Sequence, residues 1–113
     1  MIEISNLKEL FEKAYDALIK STTEYRKYAL EAEARKSDLE LSKLALYSDG
    51  KVVGKNQTER DACVADLLKE DIERFEGAKH QESQAYQEVE IARLEVDKLK
   101  AILRIFELEK SNE

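Results

Sequence analysis

The chain has 113 residues, no proline, three glycines and one cysteine; it is 42% hydrophobic, 39% charged and 7% aromatic, with a formal net charge of −6. The length suits a single domain spanning residues 1–113, and the wealth of Ala, Leu, Glu and Lys is that of long amphipathic helices. An acidic balance opposes a generic DNA- or membrane-binding surface, because both targets are anionic.

Helix one is predicted from Asn6, with Glu9 completing a capping-box-like pair, to about residue 48. Leu7, Phe11, Ala14, Leu18, Tyr25, Ala32, Leu39 and Leu46 recur at mostly alternating spacings of four and three, which places them on one stripe. Ser21, Arg35 and Ser42 interrupt that seam. A second set, Leu10, Ala17, Tyr28, Leu41 and Leu44, is expected to widen the apolar face enough to pack on more than one helix.

Residues 49–56 form the turn. Gly50 can take the left-handed position that ends a helix, and Asn56 with Glu59 restarts one, Thr58 with Asp61 offering an alternative start. Helix two is expected over about residues 57–110, with Val64, Leu68, Ile72, Phe75, Ala78, Ala85, Val89, Ala92, Val96, Leu99, Leu103 and Phe106 on its stripe. Glu82 interrupts it, and Gly77-Ala78-Lys79-His80 reads as its weakest stretch, where a kink or fraying is expected. The fold class is therefore all-α: a long antiparallel helical hairpin, a coiled coil assembling into a helical bundle.

Motifs for chemistry are sparse. His80 has no neighbouring Cys or second His, so a metal site would need Asp71, Glu73 and Glu76 around it, short of a convincing ligand set. Cys63 lies in the first turns of helix two, where the dipole favours a thiolate, but it lacks a nearby base and reads as a packed thiol. Gly50-Lys51-Val52-Val53-Gly54-Lys55 has glycines and lysines without Walker spacing or a preceding strand. No catalytic residue, metal or cofactor is expected. A lone cysteine, a start lacking a secretory pattern and the absence of a run of 18 apolar residues point to a cytoplasmic chain free of the membrane.

Partner surfaces are better represented. Tyr25 and Tyr28 are too closely spaced for both to point straight into a narrow seam, and tyrosine suits partner contacts. Lys51 and Lys55 make the tip basic. Asp66, Glu70, Asp71, Glu73 and Glu76 form an acidic stripe broken by Lys69 and Arg74. Direct nucleic-acid binding through Lys51, Lys55, Arg26, Lys27, Arg35 and Lys36 is disfavoured by sparse positive charge.

The stretch Gly54-Lys55-Asn56-Gln57-Thr58-Glu59-Arg60, within Tyr47–Ala62 and followed by a helix containing Ala92-Arg93-Leu94-Glu95-Val96, resembles small uncharacterised coiled-coil proteins of bacteriophages and prophages. The resemblance implies a protein-interaction role in a phage genome, hence the host cytoplasm, and carries no catalytic site. The leading expectation is a non-enzymatic, homo-oligomeric helical-hairpin adaptor or accessory factor that also binds another protein. The alternative is an acidic inhibitor occupying a basic groove of a host nucleic-acid enzyme or defence protein.

Overall fold

The computed structural model describes residues 4–112. The expected helical hairpin is formed by α1 (Ile4–Ser48), α2 (Gln57–Leu67) and α3 (Lys69–Ser111), with no strand among the described residues. The chain divides into two compact units, one built from the chain up to Arg26 together with that from Gln84 onward, the other from Lys27–Ser83.

In the first unit the start of α1 lies against the end of α3. Leu7, Ala14, Val96 and Leu99 are buried in one cluster, with Phe11, Leu18, Ile102 and Phe106 packed on it. Tyr25 meets Tyr86 edge-on, with centroids 5.5 Å apart. As α1 advances from Leu7 to Tyr25, its contacts on α3 therefore recede toward the start of that helix, so the pair is antiparallel. Ile102 packs on the cluster, whereas Leu103, expected on the stripe, is 37% exposed. The seam here takes two successive steps of three, Val96 to Leu99 to Ile102, before a step of four to Phe106.

In the second unit Leu39, Val64 and Leu68 form the buried cluster, joined by Leu46, Val52, Ile72 and Phe75. The expected turn is present in detail. Gly50 has φ 68°, its N–H bonds to Tyr47 O at 3.2 Å, and Lys51 N–H bonds to Leu46 O at 3.0 Å. These two bonds are the Schellman pattern that satisfies the last carbonyls of α1. Asn56 then caps α2, so the start offered by Thr58 is not used.

Four sequence expectations are corrected. Helix two is not continuous: Leu68, with φ −109° and ψ 21°, separates α2 from α3. Its side chain is buried beside Leu39 and Val64, and the interruption is local, since Leu68 N–H still bonds to Val64 O and Ile72 N–H to Leu68 O, each at 2.9 Å. The stretch around Gly77 is instead regular helix within α3. Its neighbour Ala78 is buried, so packing holds the segment where propensity is weak. Asn6 does not cap α1, because the helix already runs from Ile4 and Leu7, 3% exposed, anchors its opening turns by burial. Finally, Leu41 and Leu44 do not widen the seam: they are 65% and 64% exposed, while Leu10 and Ala17 are also exposed and Tyr28 is half-buried.

Candidate interaction surfaces

The tip is held by reciprocal caps. Asn56 Oδ1 accepts from Glu59 N–H at 2.9 Å, and Glu59 Oε2 accepts from Lys55 N–H at 2.7 Å. The first satisfies an amide that the opening turn of α2 leaves unpaired, and the second ties the loop amide just before the cap to the same turn. Gly54 is required by close approach: a Cβ placed there would lie 2.7 Å from Arg60 N and 2.8 Å from Glu59 Cβ. Val52 tucks under the loop, while Lys51, Val53 and Lys55 face solvent. The tip is thus a fixed loop presenting two lysines around an exposed valine.

Half-buried Cys63 directs its Sγ toward Lys51 O at 3.7 Å, making it a packing element under the loop. His80 is exposed, and no group of three or more His, Cys, Asp or Glu among the described residues is arranged to hold a metal ion. Open grooves are lined by Lys43, Tyr47, Asp61, Val64, Ala65 and Ile72, and by the residues around the Leu68 break. Among the described residues no helix is long and apolar enough to cross a membrane.

The acidic residues are divided by that break, Asp66 lying on α2 and Glu70, Asp71, Glu73 and Glu76 on α3. Arg74 draws on two of them, reaching Asp71 at 3.6 Å and Glu70 at 3.9 Å. Asp66, Glu73 and Glu76 are exposed. Tyr25 is half-buried against Tyr86, and Tyr28 is half-buried with Lys27 Nζ 6.0 Å from its ring centroid. Both tyrosines are half-buried, so each leaves part of its side chain open to solvent.

The more extensive surface was hidden in the sequence by the seam. With Val89, Val96 and Leu103 written as heptad positions a and Ala92, Leu99 and Phe106 as d, Ile91, Lys98 and Ile105 fall at c and Leu94, Ala101 and Leu108 at f. At 3.6 residues per turn this second stripe lies roughly 160° around α3 from the first. Its large members are exposed: Ile91 60%, Leu94 65%, Ile105 56% and Leu108 57%. In the second unit the outer side of α1 repeats the pattern with Leu30, Ala34, Ser37, Leu41 and Leu44, all exposed. A second alternation of three and four, offset two residues from the seam, is the signal that would have found both.

No protein family, no curated protein and no solved structure matches this chain.

Proposed function

We propose that the protein is a non-enzymatic interaction module, a homo-oligomeric helical-hairpin adaptor or accessory factor of the kind its turn motif resembles in bacteriophages, working in the host cytoplasm. The observation that carries this reading is the pair of apolar stripes facing away from the seam. The seam already covers one side of α1 and α3, so Leu30, Leu41 and Leu44 on one helix and Ile91, Leu94, Ile105 and Leu108 on the other are left in water. Burying a Leu or Ile fully is worth about 1.5–3 kcal/mol, and contiguous exposed apolar surface marks association sites. Two stripes in different units allow one to serve self-association and the other a protein partner.

The acidic-inhibitor alternative, resting on Asp66, Glu70, Asp71, Glu73 and Glu76, is weaker because Arg74 offsets part of that charge.

The test is affinity capture from nuclease-treated host lysate, comparing the natural chain with a Leu30→Glu, Leu41→Glu, Leu44→Glu variant. A stoichiometric protein partner retained by the first and lost by the second supports the adaptor reading. Equal capture by both removes the α1 stripe as the contact, and loss only on neutralising the five acidic residues favours the inhibitor.

A further inference from the structure

We infer that the outer stripe of α3 is the site at which a second copy of this chain docks, α3 against α3 in antiparallel register. The inference rests on the self-association part of the reading above and names the surface and geometry that serve it. Ile91, Leu94, Lys98, Ala101, Ile105 and Leu108 are spaced three, four, three, four and three, which is the spacing of a coiled-coil seam. All six are exposed, although α3 is already packed against α1 on its other side. The stripe is self-complementary when inverted. Ile91 then faces Leu108 of the second copy, Leu94 faces Ile105, and Lys98 faces Ala101, and two-fold symmetry repeats each layer.

Charge selects the direction. In the antiparallel register the flanking Asp97 of one copy lies beside Arg104 of the other, twice. Within one chain neither Asp97 nor Arg104 has an ion-pair partner among the described residues, even though Glu107 stands three residues beyond Arg104. The Lys98 stem can lie over the small Ala101 with its ammonium at the rim. A parallel pair would set Lys98 against Lys98 at the centre of the seam and Glu90 against Glu95 on both flanks. Its one favourable flank would be Arg104 with Glu109. The antiparallel register has one like-charge flank, Glu88 with Glu109, at the open ends where solvent screens it. The central lysine pairing and the central flanks therefore both favour inversion.

Sedimentation velocity on the full chain tests this, with circular dichroism on every variant to confirm retained helix. The natural chain is expected at twice its 13.0 kDa mass. Leu94→Glu with Ile105→Glu is expected to sediment as a monomer of unchanged helicity. Asp97→Arg and Arg104→Asp should each weaken the dimer by about tenfold or more, and the two together should restore it, because only the inverted register pairs position 97 with position 104. Should the glutamate variant lose its helix, the charge exchange still decides the matter. A dimer that survives both the glutamates and the single reversals would overturn the α3 site while leaving self-association standing. A double reversal that fails to restore it would overturn the antiparallel register, and a monomeric natural chain at high concentration would overturn both this inference and the self-association on which it rests.

Discussion

Asn56 and Glu59 cap one another's surroundings: the Asn56 side chain takes the Glu59 amide at 2.9 Å, and the Glu59 carboxylate takes the amide of Lys55 at 2.7 Å. Asn56→Ala removes the acceptor at the first turn of α2 and should lower stability by about 1 kcal/mol. Glu59→Gln, which keeps an acceptor at the same reach, should cost less than Glu59→Ala. Urea denaturation of the three variants at fixed protein concentration measures both differences.

The three glycines should respond to alanine with different signs. Gly77 lies within α3 with open space around a would-be Cβ, so Gly77→Ala should stabilise by about 0.8–1 kcal/mol. Gly50, at φ 68°, ends α1 in the left-handed region, and Gly50→Ala should cost about 1–2 kcal/mol. At Gly54 the new methyl would meet the Arg60 backbone at 2.7 Å, so Gly54→Ala must displace the start of α2 and should be the most damaging of the three. Thermal melts of the three variants rank them.

Two adjacent leucines at the helix break make a sharper contrast. Leu68 is 7% exposed within the cluster of Leu39 and Val64, whereas Leu67 is 51% exposed. Leu68→Ala should therefore cost about 2–5 kcal/mol through lost burial and the cavity left behind, while Leu67→Ala should stay within about 0.5 kcal/mol of the natural chain. A larger effect at Leu67 than at Leu68 would contradict the assignment of faces at the break.

The edge-on contact of Tyr25 and Tyr86, 5.5 Å between centroids, should appear as a coupling rather than as two independent losses. A double-mutant cycle with Tyr25→Ala and Tyr86→Ala is expected to give an interaction of about 0.5–1.5 kcal/mol. Additivity would mean that each ring packs on other neighbours and that Tyr25 is available to a partner.

The turn was the most legible part of the chain, because glycine at Gly50 and the Asn56–Glu59 pair act through local geometry that a short stretch of sequence contains. The seam was legible where Leu, Val and Ala repeat along it, but the step from Leu99 to Ile102 rather than Leu103 was not, because both candidates are large and apolar and the sequence does not choose between them. The break at Leu68 was not legible. Leu67-Leu68-Lys69 contains no glycine or proline, so no local signal marks Leu68, buried with Leu39 and Val64, as the point of interruption. Leu41 and Leu44 were misassigned for a related reason. An apolar residue two positions from the seam belongs to the far side of the helix, and a list of hydrophobic residues without angles merges the two faces. Tyr25, Tyr28, Lys51, Lys55 and the acidic residues stand out in the sequence by their chemistry, whereas Ile91, Leu94, Ile105 and Leu108 read there as ordinary core.

The interruption at Leu68 leaves α2 only 11 residues long, shorter than the roughly 12–15 at which an isolated helix becomes even marginal in water. It therefore keeps its form through Val64, the Asn56 cap and the neighbouring packing, whereas α3, at 43 residues, propagates from many turns. Amide exchange should consequently be faster across α2 than through the middle of α3, with the loop and α2 opening together as one small cooperative step. Cys63 sits inside that step as the chain's sole thiol, so its rate of alkylation would clock the opening of this segment in a protein otherwise still folded.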